Sequence, residues 1–204
     1  MGKQATRRQF VHAASAAAGA AGVFPFAARG DENARKVKIG LIGCGWYGLV
    51  DVEAAFKVGG VDVLAICDVD SEHLADAAAK IERLQGRRPQ AFKLYEDLLA
   101  VQELEAVIVA TPPQWHALQV IAAVARKLDV YCEKPLAYDI RECRAISDAV
   151  ARSGRIVQIG FQRRQCPAFQ AVRDYLQSGR AGHVVCAEAT INYAAGIKDA
   201  APQQ

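Results

Sequence analysis

The stretch Lys38-Ile39-Gly40-Leu41-Ile42-Gly43-Cys44-Gly45-Trp46-Tyr47-Gly48 constrains the fold more than any other. The apolar run from Val37 to Ile42 predicts a buried strand, followed by a glycine turn and the start of a helix. Gly43, Gly45 and Gly48 keep the G-x-G-x-x-G spacing of a dinucleotide-binding turn. Each glycine meets a separate demand. Gly43 permits the tight turn, and Gly45 removes a side chain where a pyrophosphate must approach the backbone. Gly48 lets the helix lie close to the strand. The free N–H groups and positive dipole end of that helix would then face the phosphates. A helix over Leu49 to Val58, the break Gly59-Gly60 and a second strand over Val61 to Ile66 lead to Cys67-Asp68. Asp68 follows Gly43 by 25 residues, close to the spacing of the acid that binds the adenosine ribose hydroxyls. Its charge would repel a 2′-phosphate, so the pattern favours NAD over NADP.

The elements that follow keep alternating. Ser71 is expected to cap a helix to about Leu84, with Leu74, Ala77, Ala78 and Ile81 on one face. Gln85 to Pro89 reads as a solvated loop, Ala91 to Lys93 as a short strand and Tyr95 to Ala100 as a small helix. Ala106 to Ala110 is a β-branched run suited to a strand buried on both faces. It ends at Thr111-Pro112-Pro113-Gln114-Trp115-His116, beyond the carboxyl end of a strand, where open α/β sheets bind ligands. His116 opens the next helix, to about Lys127; taken alone it reads as a surface or capping residue. Asp129 to Cys132 is a further strand that runs into Glu133-Lys134-Pro135. On residue types alone these are a solvated Glu–Lys pair, or a strand-end ammonium tuned for proton transfer. Asp139 with Glu142 forms a capping box for a helix to about Arg152. Arg155 to Gly160 is a sixth strand, Ala168 to Ser178 a helix stopped by Gly179, and His183 to Tyr193 a strand. The whole predicts an α/β fold, a Rossmann-type doubly wound parallel sheet over residues 36–160, with only the start of a second α/β domain over 161–204.

Charge and cysteine usage exclude several classes. The net charge is +3, but residues 1–30 hold Lys3, Arg7, Arg8 and Arg29 and no acid. The other 21 of the 25 basic side chains meet 22 acidic ones, a near-neutral body with no footprint for nucleic acid or an anionic membrane. The six cysteines show neither C-x-x-C pairing nor Cys/His spacing for a metal, so they read as reduced core or surface thiols.

Residues 1–30 read as an address rather than structure. Thr6-Arg7-Arg8-Gln9-Phe10 precedes an Ala/Gly-rich run from Val11 to Ala28, the layout of a twin-arginine export signal cleaved near Ala27 to Gly30. His12, Ser15 and Pro25 make that run a poor membrane span. An uncleaved anchor and a merely Ala-rich leader are the alternatives. Twin-arginine export moves folded proteins, which suits an enzyme that takes up a nucleotide before a periplasmic or secreted life.

Gly43-x-Gly45-x-x-Gly48, Cys67-Asp68-Val69-Asp70, Ala110-Thr111-Pro112-Pro113-x-Trp115-His116 and Glu133-Lys134-Pro135 occur in this order. Together they resemble the Gfo/Idh/MocA oxidoreductases, the glucose–fructose oxidoreductase and inositol dehydrogenase group, over roughly residues 36–193. The resemblance implies an NAD-dependent enzyme that transfers hydride between nicotinamide and a sugar- or polyol-like hydroxyl or carbonyl. It implies that Gly43, Gly45 and Gly48 hold the pyrophosphate and Asp68 the adenosine ribose, with Trp46 and Tyr47 also in the cofactor-binding set. Thr111, Pro112 and His116 would line the nicotinamide, Glu133 would contact its ribose, and Gln162 would join the cofactor set. Lys134 and His116 would be catalytic, Lys134 moving the hydroxyl proton, with Pro135 in the cis form.

Members of that family continue into an antiparallel substrate domain with an Asp and a His one helical turn apart, and nothing after Tyr193 matches it. The expectation is either a fragment of a longer protein or a shortened product. The rival functions are a non-catalytic NAD(H)-binding module or inactive remnant, and a structural protein on the same scaffold.

Overall fold

The computed structural model describes residues 35–190. The export signal expected over residues 1–30 therefore lies outside the described residues. Two compact units divide between Gln158 and Ile159, within the last strand of the sheet.

The first unit is built on a sheet of order β3-β2-β1-β4-β5-β6. Its strands are β1 (Val37–Ile42), β2 (Val61–Cys67), β3 (Gln90–Phe92), β4 (Ala106–Val109), β5 (Asp129–Glu133) and β6 (Val157–Gly160). The pairs β1–β2, β1–β4, β2–β3 and β4–β5 are all parallel. The helices between them are α1 (Trp46–Val58), α2 (Ser71–Gln85), α3 (Tyr95–Leu99), α4 (Pro113–Ala125) and α5 (Ile140–Ser153). The order reverses between β1 and β4, so their carboxyl ends diverge into a crevice at that point.

Strand alternation sorts the core. Ile39 and Leu41 of β1 join Val52 of α1, Ala77, Ala78 and Ile81 of α2 and Ile108 of β4 in one buried cluster. Gly40, between them, points to the other face, where a Cβ would meet Leu98 of α3 at 2.9 Å. Helices thus cover both faces, and β1 is walled in on each. Lys80 of α2 pairs with Glu53 of α1 across their outer surface.

Local chemistry sets the element ends, with some differences from the sequence expectation. The cap of α2 is Asp70, not Ser71: its carboxylate accepts from the N–H groups of Glu72 and His73. α1 starts at Trp46 rather than Leu49, because the glycine turn leads straight into helical backbone. Pro113, not His116, opens α4, as proline at the first helical position leaves no N–H to satisfy. Asp139 caps α5 by accepting from Glu142 N–H, while Glu142 Oε2 accepts from Tyr138 N–H, one residue earlier than an ideal capping box. The loop after α2 is held by Gln85, whose side chain pairs with both backbone groups of Val63. Arg87 and Arg88 there pair with Asp62 and Glu82.

The second unit holds a 3₁₀ turn over Gln162–Gln165 and α6 (Pro167–Gln177). Arg164 lies over the Phe161 ring at 4.6 Å. Ser178, not Gly179, caps α6. The strand expected over His183 to Tyr193 does not form: His183 to Thr190 carry no regular structure, and the rest lies outside the described residues. Alternating side chains are not sufficient for a strand, whose backbone groups need a neighbour to pair with.

Candidate functional site

Parallel strands all end on the same side, so the turns after β1, β2, β4 and β5 meet at one edge of the sheet. Hydrogen bonds stitch those turns together in order. The Cys44 N–H, in the turn after β1, donates to Asp68 Oδ2 after β2 at 2.6 Å. Asp68 Oδ1 accepts from Asp70 N–H at 2.9 Å, which fixes the carboxylate plane. Across the switch point the Ala110 N–H donates to the Ile42 carbonyl at 2.8 Å. Between β4 and β5, His116 spans the gap: Nε2 lies 2.7 Å from the Thr111 carbonyl and Nδ1 lies 2.8 Å from the Pro135 carbonyl. The Lys134–Pro135 bond is cis.

The three glycines separate cleanly by what a Cβ would touch. At Gly43, whose φ is +94°, it would lie 2.7 Å from the Ala110 carbonyl carbon; at Gly48 it would lie 2.0 Å from the Gly43 carbonyl oxygen. At Gly45 it would meet nothing within 4 Å. Gly43 and Gly48 are therefore required by the protein's own packing, and Gly45 leaves open space over the turn. α2 and α5 have carboxylate caps, whereas α1 has neither a side-chain cap nor an acid in its first turn. Leading N–H groups at such an uncapped helix end suit a diphosphate. Each Asp68 oxygen keeps acceptor capacity for a ribose hydroxyl. These residues fit a dinucleotide.

The other expected site residues take distinct environments. Trp46 is 78% exposed, with Tyr47 edge-on to it at 5.3 Å. Pro112 precedes α4 and accepts from Trp115 N–H. The Thr111 hydroxyl donates to Gln119 Oε1 at 2.6 Å, inside the fold. His116 is 1% exposed with both ring nitrogens on backbone carbonyls, so the ring braces two turns. Glu133 is 5% exposed and is not part of a solvated pair; Oε1 accepts from Tyr131 Oη at 3.4 Å and Oε2 from Lys134 N–H at 3.3 Å. Lys134 itself is exposed. Gln162 sits in the 3₁₀ turn of the second unit.

Sequence reasoning missed Asp51 and Gln119. Asp51 Oδ2 is buried without a hydrogen-bond partner. Burial first, and the charge of Glu133 second, push its carboxyl up to about 7. The same causes, in that order, with Asp51 third, raise the Tyr47 phenol. Gln119 is 4% exposed and holds Thr111. Each is a polar residue interrupting an apolar helical face, a signal visible in the sequence. The thiols near the site are quiet: burial raises Cys44, and pushes Cys67 and Cys132 up to about 12. Among the described residues no group of three potential metal ligands occurs, and no helix is long and apolar enough to cross a membrane.

Residues 37–161, more than half of the chain, match the Gfo/Idh/MocA family model described as an oxidoreductase family with an NAD-binding Rossmann fold. The chain belongs to this family. Its Gfo/Idh/MocA relatives include the inositol 2-dehydrogenase of Acidothermus cellulolyticus, 35% identical over 155 residues, covering 75% of this chain and 44% of that protein. The WlbA dehydrogenase of Bordetella pertussis, solved with NADH and UDP-GlcNAcA, is 28% identical with a TM-score of 0.66. It covers 72% of this chain and 41% of its own. The scyllo-inositol dehydrogenase of Lactobacillus casei, solved with NAD(H) and scyllo-inositol, shares the fold at TM-score 0.66 and 23% identity, over 72% of this chain and 43% of its own. The chain thus spans less than half the length of each of these proteins.

Proposed function

We propose that the chain carries the NAD site of a Gfo/Idh/MocA dehydrogenase acting on a polyol- or sugar-like hydroxyl. The observation that carries this reading is the triad of glycines: two demanded by packing and one, Gly45, open above an uncapped helix end. Bound NAD supplies a hydride acceptor at the nicotinamide. The chain's own groups do the rest. α1 N–H groups hold the diphosphate, with Trp46 and Tyr47 beside them. Asp68 takes the adenosine ribose and disfavours a 2′-phosphate. Thr111 and Pro112 form the wall at the nicotinamide, with His116 positioning that wall. Glu133 accepts from the nicotinamide ribose, and exposed Lys134 moves the substrate hydroxyl proton. Gln162 belongs to the cofactor set by resemblance. The polyol substrate class follows from the inositol dehydrogenases among the relatives.

NADH binding to the 204-residue chain, followed by nicotinamide fluorescence, tests the site. Affinity should fall at least about tenfold in Asp68→Ala, and NADPH should bind wild type more weakly than NADH. Equal binding of the two dinucleotides with no effect of Asp68→Ala would sink the reading. Binding without polyol-dependent NAD reduction would favour a non-catalytic module.

We further propose twin-arginine export to the periplasm or beyond, supported by Arg7-Arg8 and Phe10 ahead of an Ala/Gly-rich run. Six cysteines that are all free suit a chain folded in a reducing compartment first. Replacing Arg7 and Arg8 by Lys should hold the protein in the cytoplasm; undiminished export would refute it.

A further inference from the structure

Among the described residues three polar ones are buried outright: His116, Gln119 and Glu133. His116 and Gln119 stand three residues apart on α4 and so share one face of that helix. The rest of its buried face is apolar, made of Ala117, Val120, Ala123 and Val124. A glutamine in such a stripe is costly unless its amide finds a partner. Gln119 is 4% exposed, and its Oε1 accepts from the Thr111 hydroxyl at 2.6 Å. His116 Nε2 lies 2.7 Å from the carbonyl of the same threonine. Both polar side chains that α4 buries therefore reach Thr111, one at its hydroxyl and one at its backbone.

Thr111 stands where the sheet order reverses. A Cβ at Gly43 would lie 2.8 Å from the Thr111 nitrogen, so the residue packs directly on the first glycine of the β1 turn. Asp68 follows β2, on the other side of β1. A dinucleotide with its adenosine ribose on Asp68 and its diphosphate at the α1 end must send its nicotinamide half across the switch point toward β4. There a threonine can turn either a hydroxyl or a methyl to the ligand, according to its χ1. With its proton committed to Gln119, the Thr111 hydroxyl has none to donate outward. Turning it outward would break that bond and leave a buried amide oxygen without its donor.

We propose that Gln119 is a positioning residue for the nicotinamide half of the site: from within α4 it locks the Thr111 hydroxyl inward, so that Thr111 donates no hydrogen bond at the switch point. The wall that Thr111 shares with Pro112 then places the nicotinamide by shape. Its rotamer is set beforehand by a buried partner, which is how a supporting residue preorganises a binding surface. The effect on cofactor rests on the dinucleotide reading, but the locked rotamer does not.

The cofactor-free 204-residue chain tests the lock. Three-bond couplings to the Thr111 methyl should report one χ1 rotamer in wild type, and a different or averaged one in Gln119→Met, which keeps the side chain's length and removes the acceptor. Averaging in wild type, a measurement that needs no variant, overturns the proposal, as does an unchanged rotamer in Gln119→Met. Binding of NADH and of ADP-ribose, which has both riboses and the diphosphate but no nicotinamide, then tests the role. Gln119→Met should weaken NADH at least about threefold and leave ADP-ribose within about 1.5-fold of wild type. Adding Thr111→Val removes the hydroxyl that could turn outward, so the double variant should regain NADH affinity to within about 1.5-fold of wild type. Equal losses for both ligands, or no recovery in the double variant, would assign the amide to the fold alone and overturn the role. Failure of the dinucleotide reading is distinct: wild type would bind neither NADH nor ADP-ribose, and the role would fall with it while the rotamer result stood.

Discussion

A methyl group added at Gly48 would lie 2.0 Å from the Gly43 carbonyl oxygen, while one at Gly45 would touch nothing within 4 Å. The two glycines look equivalent in the motif but differ in the fold: backbone packing demands Gly48, while the space at Gly45 is open and, on the proposed reading, serves ligand approach. Gly48→Ala should therefore push α1 off the turn and cost about 3 kcal/mol in urea unfolding. Gly45 has φ −65°, which alanine adopts freely. Gly45→Ala should leave stability within about 0.5 kcal/mol of wild type and still weaken NADH at least about tenfold. Loss of stability in Gly45→Ala, or undiminished NADH binding, would refute the separation.

At the level of elements, the site is a set of strand-end turns that the side chains of neighbouring turns hold in place. Asp68 ties the β2 turn to the β1 turn through Cys44 N–H, and His116 ties the β4 turn to the β5 turn. In the sequence His116 stood near the right strand end, and the family resemblance implied a catalytic residue beside the nicotinamide. Its role as a brace depends on Thr111 and Pro135, 5 residues before it and 19 after it, coming within reach of one ring. His116→Phe keeps the ring's volume and removes the ring nitrogens that lie against the Thr111 and Pro135 carbonyls. It should cost about 2–4 kcal/mol by chemical denaturation and loosen NADH binding as the turns part. A variant as stable as wild type would show that the ring nitrogens do not brace the turns.

For the molecule as a whole, Asp51 couples stability to pH. Its carboxyl moves from 3.8 to about 7 on folding, so the folded chain keeps a proton that the unfolded chain releases across that window. A raised folded value gives stability that is full below 3.8 and is lost as pH rises through about 7. Asp51→Asn should therefore gain stability relative to wild type as pH climbs through the window. The gain is reduced by solvent screening, because the carboxyl is only partly buried. Urea midpoints of both proteins across that range measure it, and a constant difference would count against a displaced carboxyl. Carboxylates with lowered values, such as Asp70 on its two N–H donors, slope the other way at lower pH and cancel in the comparison.

Most of the first unit was legible because its signals are local. β1 runs from Val37 to Ile42 as expected, and β2 and β4 differ from expectation by one residue at their ends. Burial on both faces makes each strand a continuous apolar run, and glycines and acids mark the ends. The glycine turn was readable too, since a tight bend and close helix packing demand glycine at Gly43 and Gly48. What the sequence could not settle was whatever depends on two distant segments meeting. His183 to Thr190 alternate like a strand yet form none among the described residues, because pairing is a property of two segments. Glu133 and Lys134 are adjacent in the chain, but tertiary packing alone buried one carboxylate beneath Tyr131 and left the neighbouring ammonium in solvent. Asp51 is one acid on a helix until the fold buries its Oδ2. The sequence by itself determined the strand order of chemistry along the chain; only the folded sheet decided which polar groups leave water and which partners they meet, because burial and hydrogen bonding depend on distance in space.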